Sequence, residues 1–308
     1  MTTMLPDWQW SYDGWIVLVT SLVAVICAIP GSFLLVRRQA MLGDAISHAV
    51  LPGIAIGFLI SGDRGGGWML SGAIIAGLTT TVLTQFLRGI AGVERGAALG
   101  VVFSTLFALG LLLIVQVADS VELDPACVLY GQVELVPLDL IDIGGIQVPR
   151  VLPALIGVLL ATGLVVGLVW KELVVSSFDP ATAQGQGVPT AIMNQILMVL
   201  VATACVVAFE SVGSILVIAL LVTPAAIARL FTDRLLRVVV ISAAIGIGFS
   251  MLGHFAAVAG PTLIFDRQQA VSTAGMTAVV ATIALGIVAC LPVIGIRGRR
   301  QRSHHYRT

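Results

Sequence analysis

Charge is scarce in this chain. Lys, Arg, Asp and Glu together make up 10% of 308 residues, against about a quarter in a soluble domain. Apolar residues make up 58% and the mean hydropathy is +1.06. That much apolar surface does not fit inside a water-soluble core, so the composition excludes a soluble enzyme, a nucleic-acid-binding module and a disordered regulator, and assigns the chain to a bilayer. Cysteine is sparse and scattered: Cys27, Cys127, Cys205 and Cys290 form no close pair. Neither a CxxC metal site nor a disulfide framework is readable, and each Cys reads as a small buried apolar residue. No G-x4-G-K-[ST] is present, so the chain does not cradle ATP phosphates in a Walker loop. No H-E-x-x-H is present, which excludes a membrane zinc protease of that kind. No run of buried acids reads as a proton relay. The formal net charge is zero and says little about partners.

What is abundant is long charge-free sequence. Nine windows lack any charge: 14–36, 45–62, 65–87, 96–118, 151–170, 180–209, 211–228, 238–265 and 268–296. A helix needs about 20 residues to cross the hydrocarbon core, and the windows lack the alternation of barrel strands, so the expectation is an all-α polytopic membrane protein of eight or nine transmembrane helices. The count depends on Glu210, where two windows meet almost without a loop. The first window has no basic n-region and runs into Arg37-Arg38, so it reads as a span and not as a cleavable signal. With nine crossings and the N-terminus outside, 13 of the 16 Lys and Arg fall on the inner side; Arg64, Arg150 and Arg267 are the three outside. This is a strong positive-inside bias. Most acids, Asp7, Asp13, Glu134 and Asp142 among them, fall outside.

The chain reads as a single permease-like domain with an external N-terminus (1–13), an acidic external connection (119–150), an internal segment (171–189) and a basic internal tail (297–308). The external connection reads either as a membrane-surface segment with a short helix or as a plain loop. Gly53-x3-Gly57 and Gly163-x3-Gly167 are small-residue pairs suited to close helix packing. Pro30, Pro52 and Pro224 fall inside apolar windows, where each removes a backbone donor and should kink its helix.

The sharpest local feature is the run from Arg37 to Gly53. Asp44 and His48 stand at i and i+4, on one helix face, with Ser47 beside them. Pro52 cannot donate to the carbonyl of His48. Carboxylate plus imidazole suits Mn, Fe or Zn, and ionisable groups within a span usually line a pathway or pair with something. A plainer reading is also open: Asp44 as a helix cap and His48 hydrogen-bonded within the bundle. One chain has too few ligands here for a closed site. Weaker candidates are His254, more readily a hydrogen-bonded buried His than a ligand, and Glu210, at the outer mouth of a path or capping a helix. His304 and His305 lie in the basic tail.

Three segments carry a family resemblance. The run 41–53 (MLGDAISHAVLPG) closely resembles the signature of the transmembrane permeases of ABC importers for zinc, manganese and iron. The run 177–189 (SFDPATAQGQGVP) is similar to that family's cytoplasmic F-D-P-x-x-A-x-x-x-G segment. The run 212–226 (VGSILVIALLVTPAA) resembles its V-G-x-x-L-V-x-A-L-L-x-x-P-A-A stretch, and Ser272–Met276 fits its last-helix pattern more loosely. The resemblance covers the chain from about Gly31 to Val293. Residues 253–269, with Gly260-Pro261, read as an extra, broken stretch before the last helix, and the tail after Ile296 is a second departure.

The resemblance implies a type II ABC importer permease in a prokaryotic plasma membrane, N-terminus outside and C-terminus cytoplasmic. It is not itself an enzyme and holds no permanent cofactor. It pairs with a second permease copy or a close relative. Two ATP-binding subunits hold the ATP, and an extracytoplasmic binding protein delivers a divalent Mn, Zn or Fe ion. Asp44 and His48 then become the metal gate. Phe178, Asp179, Pro180, Ala183 and Gly187 become the ATPase-coupling segment, with Asp179 as N-cap and Pro180 at the first helical position. The competing reading is a stand-alone secondary metal-cation transporter; no inverted repeat supports it. The charge bias makes a direct prediction. An impermeant thiol reagent added outside should label a cysteine introduced at Asp139 but not one at Gln184; the reverse pattern would overturn both the orientation and the internal position of the 171–189 segment.

Overall fold

The computed structural model describes residues 8–61, 67–118, 133–265 and 271–295. Helices account for nearly all of them: α1 (Trp10–Val36), α2 (Ala40–Ala49), α3 (Leu51–Ser61), α4 (Gly67–Ala91), α5 (Arg95–Ala118), α6 (Leu152–Leu168), α7 (Trp170–Phe178), α8 (Pro180–Gly185), α9 (Thr190–Val212), α10 (Ser214–Phe231), α11 (Leu235–Phe265) and α12 (Thr273–Gly295). Among the described residues eight helical stretches are long and apolar enough to cross a bilayer, with α2 and α3 together forming one of them, Ala40–Ser61. A ninth is reached if α6 and α7, bent by 73° at their junction, count as one span. The ambiguity therefore lies at Val169 and not at Glu210, because α9 and α10 each qualify on their own and meet at Gly213.

Helix α1 is the centre of the bundle. Its 27 residues span about 40 Å at 1.5 Å per residue. Ile16, Val19, Val23, Ile26, Cys27, Phe33 and Leu34 are buried along its whole length, against α11, α10, α9 and α6. Helices α3, α4 and α5 form a second group, joined to the first where α4 meets α9. Glycines set the closest approaches. A side chain at Gly53 would stand 2.1 Å from the carbonyl oxygen of Gly72, and one at Gly57 2.5 Å from that of Trp68. The Gly53-x3-Gly57 pair thus brings α3 and α4 into backbone contact. Gly163 and Gly167 meet nothing within 4 Å in the protomer. Helices α1 and α10 run unbroken through Pro30 and Pro224, whereas the chain breaks between α2 and α3, just ahead of Pro52.

Three further expectations change. The described part of the 119–150 connection is a 3-10 turn (Val133–Leu138) followed by a hairpin of β1 (Leu140–Ile143) and β2 (Ile146–Pro149), with Ile141 opposite Val148 and Ile143 opposite Ile146. Gly144 and Gly145 both have positive φ, as a two-residue hairpin turn requires, and Gly145 N–H donates to Asp142 Oδ1 at 2.7 Å. Helix α11 continues past Gly260-Pro261 to Phe265; within a bundle, neighbouring groups can compensate the donor that proline removes. Cys27 and Cys205 are fully buried, but Cys290 is exposed on α12. Cys127 and the basic tail with His304 and His305 lie outside the described residues.

The tightest approach is between α1 and α10: a Cβ added at Gly31 would lie 2.0 Å from the carbonyl oxygen of Leu221. Gly31→Ala should force the helices apart and destabilise the fold by about 1–3 kcal/mol, the usual range for overpacking. Gly163→Ala, with open space around it, should be neutral. Unfolding of the purified protein in a denaturing detergent series distinguishes the two, and equal effects would refute the packing assignment.

Candidate functional site

Helix α2 carries the polar pair. Its N-cap is Gln39, so Asp44 stands a full turn inside the helix and does not cap it. Asp44 Oδ1 lies 3.6 Å from His48 Nε2. That exceeds a hydrogen bond, but it is close to the separation of about 3.4 Å between two ligands each about 2.1 Å from a tetrahedral ion. The Asp44 side chain is 52% exposed and that of His48 22%. Met41, one turn before Asp44, is exposed too. The opposite face of α2 is fixed: Leu42, Ala45, Ile46 and Ala49 are buried, and Gly43 packs directly on the Leu221 side chain. Aromatic rings of α5 flank His48, Phe107 edge-on at 5.3 Å and Phe103 tilted at 6.1 Å. The arrangement is a half-exposed carboxylate and an imidazole set beside the α5 rings, on the side of α2 opposite its packed face. Among the described residues no three or more His, Cys, Asp or Glu side chains gather into a metal-binding group, so one protomer offers a divalent cation an incomplete set. The side chain of Ser47, on the same helix, and that of Glu210, near the end of α9, lie outside the described residues.

His254 belongs to a different assembly. It is buried on α11, with Nε2 3.0 Å from Asp13 Oδ1 and Nδ1 3.1 Å from Thr273 Oγ1. Asp13 Oδ2 accepts the Gln9 N–H at 2.7 Å, and the Trp8 ring meets His254 edge-on. Glu134, from the 3-10 turn, accepts the Thr273 N–H at 2.6 Å and so caps α12, while its carbonyl accepts the Tyr12 hydroxyl. This clasp joins the first turns of α1 and α12 and the middle of α11 to the 3-10 turn of the 119–150 connection. It occupies both His254 nitrogens, and it buries Asp13, which the charge pattern had placed among outer surface acids. Nothing in the spacing of Asp13, Glu134 and His254 announces it, because the Asp13–His254 and Glu134–Thr273 contacts each span more than a hundred residues.

The segment after α7 forms a compact, exposed knuckle. Asp179 is the N-cap of α8: its carboxylate accepts the backbone N–H groups of Ala181 at 3.1 Å and Thr182 at 3.0 Å, and the Thr182 hydroxyl as well. Pro180 takes the first helical position, where its missing N–H leaves nothing unsatisfied. Gly187, at φ +80°, closes the other end. Its N–H reaches the Gln184 carbonyl and that of Val188 reaches Ala183, a Schellman pair that a left-handed residue permits. The helix is six residues long, Pro180–Gly185, with Ala183 buried against its support and Phe178 half exposed. The resemblance had marked Phe178, Asp179, Pro180, Ala183 and Gly187; the geometry makes Ala183 the inward anchor and Asp179 and Gly187 the two stops.

Comparison with known proteins places this geometry. Residues 12–292 match the family model described as ABC 3 transport family. The chain belongs to that family. It is 39% identical over 246 residues to the manganese transport system membrane protein MntD of Bacillus subtilis, covering 80% of this chain and 83% of the relative. It is also 39% identical over 209 residues to the zinc transport system membrane protein TroD of Treponema pallidum, covering 68% of this chain and 57% of that one. Among solved structures, PsaBC from Streptococcus pneumoniae in complex with Fab superposes with a TM-score of 0.72 at 29% identity, over 89% of this chain and 90% of the other. This ABC 3 permease is therefore a multi-pass helical membrane protein in which the α2 pair and the α8 knuckle fall within the family match.

The Thr182 hydroxyl and N–H, with the Ala181 N–H, hold the Asp179 carboxyl below its ordinary range. A carboxyl whose pKa is lowered on folding stabilises the folded form above its unfolded pKa, and that contribution fades as pH falls through the lowered value. The α8 cap should therefore be indifferent to pH around neutrality and loosen only in acid. Amide exchange at Ala181 and Thr182 should rise in Asp179→Ala and stay near wild type in Asp179→Asn, which caps about as well. Equal exchange in Asp179→Ala and wild type would refute the cap.

Proposed function

We propose that this chain is the membrane-spanning subunit of an ATP-driven importer of divalent transition-metal ions, with Asp44 and His48 lining the gate. The observation that carries the proposal is the open face of α2. Asp44 lies four residues and His48 eight residues into the Ala40–Ser61 span, about 6 and 12 Å from its start. A half-exposed carboxylate at that depth is costly against lipid, so this face belongs against a second permease copy or a water-filled path. Two copies across an axis beside α2 would supply two carboxylates and two imidazoles, a set suited to Mn, Zn or Fe. The names of the relatives, manganese and zinc transport proteins, agree with that donor chemistry. We take the Trp10 end as external and the Arg37 end as cytoplasmic, following the charge bias.

On this reading the α8 knuckle faces the cytoplasm and docks on one of two separate ATP-binding subunits, which hydrolyse the ATP. An extracytoplasmic binding protein hands the metal to the end carrying the His254 clasp. The ion is cargo: it enters between the two α2 helices, exchanges water for carboxylate and imidazole, and leaves when ATP-driven movement separates them. The Phe103 and Phe107 rings narrow the path around His48 and exclude water from its ring faces.

Asp44→Asn keeps shape and hydrogen bonding but removes charge; His48→Ala removes a nitrogen ligand. Each acts twice in a homodimer. Loss of groups that merely support ligands costs about 10–100-fold in metal affinity, so loss of the ligands themselves should reduce manganese or zinc uptake by at least that. Metal binding by the separate delivery protein should be unchanged. Near-normal uptake by Asp44→Asn at normal expression would overturn the gate assignment.

A further inference from the structure

The gate helix and the cytoplasmic knuckle are far apart in sequence, yet one side chain joins them. Arg37 terminates α1. Its Nε donates to Ser177 Oγ at 2.9 Å, one terminal nitrogen to Ser176 Oγ at 3.0 Å and the other to Asn194 Oδ1 at 3.3 Å. Ser176 and Ser177 are the residues immediately before Phe178 and the α8 cap, and Asn194 lies in the first turns of α9, just after it. The guanidinium thus grips the chain on both sides of the knuckle. One turn earlier on α1, Phe33 packs edge-on against Trp170 at the start of α7, with centroids 5.6 Å apart. Helix α7 is therefore pinned to α1 at both of its ends.

On its other side Arg37 is joined to the gate by a stiff corner. Arg38 has φ +56°, the one non-glycine residue with positive φ among those described. Its N–H bonds to the Leu35 carbonyl and that of Gln39 to the Leu34 carbonyl, so a glycine-type helix stop is built around an arginine. Left-handed backbone at a non-glycine residue persists only where its surroundings over-determine it. Helix α2 starts two residues later, at Ala40, so only a short link separates it from this corner.

We propose that Arg37 is a positioning residue of transport: its planar fork is the joint through which displacement of the α8 knuckle reaches Asp44 and His48. Arginine suits the task because its donors lie in a rigid plane, whereas a lysine ammonium offers a swivelling point charge. The groups it grips, two hydroxyls and an amide, hold it in place through hydrogen bonds with defined directions. Displacement of α7 pulls on the guanidinium, the Arg37–Arg38 corner follows, and α2 rotates with it. The inference rests on the transport reading above and adds the route between its two parts.

The test uses the assembled permease–ATPase complex in proteoliposomes, measuring ATP hydrolysis and accumulation of manganese(II) and zinc(II) in the same vesicles. Arg37→Lys keeps the charge and loses the fork; the double variant Ser176→Ala with Ser177→Ala removes two acceptors and leaves Arg37 intact. Both should hydrolyse ATP at close to the wild-type rate while the metal moved per ATP falls by about tenfold, inside the range of about 5–150-fold for coupling between sites. A purely structural role would lower hydrolysis, uptake and assembly together and leave the ratio unchanged; that result, or a wild-type ratio in the double variant, overturns the inference while leaving the importer reading intact. A wild-type complex that hydrolyses ATP and accumulates neither metal overturns both.

Discussion

Leu221 is the residue on which the geometry of the site depends. It sits on α10 with its carbonyl against Gly31 of α1 and its side chain against Gly43 of α2. At Gly31 a methyl group would strike the Leu221 backbone, so the backbones of α1 and α10 touch there, and α2 is laid across the same residue with Gly43 against the end of its side chain. Lipid tails are as apolar as leucine and supply no hydrophobic pressure to push helices together. Close approach and dispersion must do it, which is why small residues mark the contacts. The consequence for function is orientation. With Gly43 seated on Leu221, the buried face of α2 is Leu42, Ala45, Ile46 and Ala49, and Asp44 and His48 have only the open side to occupy.

The same absence of water explains how the other polar groups are treated. A carboxylate and an imidazole within a bundle must find partners or a path. Asp13 and His254 find each other at 3.0 Å, and Thr273 and Gln9 take up the remaining capacity on either side. Thr20, Ser32, Thr80, Thr84, Ser250 and Thr277 turn their hydroxyls back to the carbonyl one turn earlier, as isolated hydroxyls in apolar helices do. The Asp44–His48 pair, with its 3.6 Å gap, departs from that economy, and the α8 knuckle keeps its capped carboxylate on an exposed surface. Both lie within segments that carry the family resemblance.

Much of this was legible in the sequence, for identifiable reasons. Charge-free windows report spans because charge is expensive in hydrocarbon, and the i, i+4 relation of Asp44 and His48 holds on any helix. Asp179-Pro180 announces a helix start through chemistry confined to four residues, and the structure has Asp179 accepting from Ala181 and Thr182. The hairpin that pairs Ile141 with Val148 has a turn signal in Gly144-Gly145 between alternating apolar residues, but the acidic composition of the connection reads equally as loop or short helix. What could not be read was any relation between distant helices. Asp13 was one outer acid among many, and Arg37 one of thirteen inner basic residues, until tertiary packing set Asp13 beside His254 and Arg37 beside Ser176 and Ser177. Periodicity fixes which face of a helix is apolar; it carries no information about which helix will cover that face.

On the importer reading proposed above, the incompleteness of the α2 pair is what a gate would require. A site that closed four ligands around an ion within one protomer would hold it as structural zinc sites do, through ligands whose positions are fixed by one fold. Passage requires binding strong enough to draw the ion out of water and weak enough to release it. A set split across two α2 helices, as proposed, would meet both requirements, since the distance between the helices would then set the affinity: close together they would complete the shell, apart they would leave each half with two ligands. Small displacements suffice, because metal–ligand distances are defined to within about 0.2 Å. On that reading the seat of α2 on Leu221 would serve such control. A helix that yielded locally would absorb the movement, whereas one seated on Gly43 carries Asp44 and His48 as a single body.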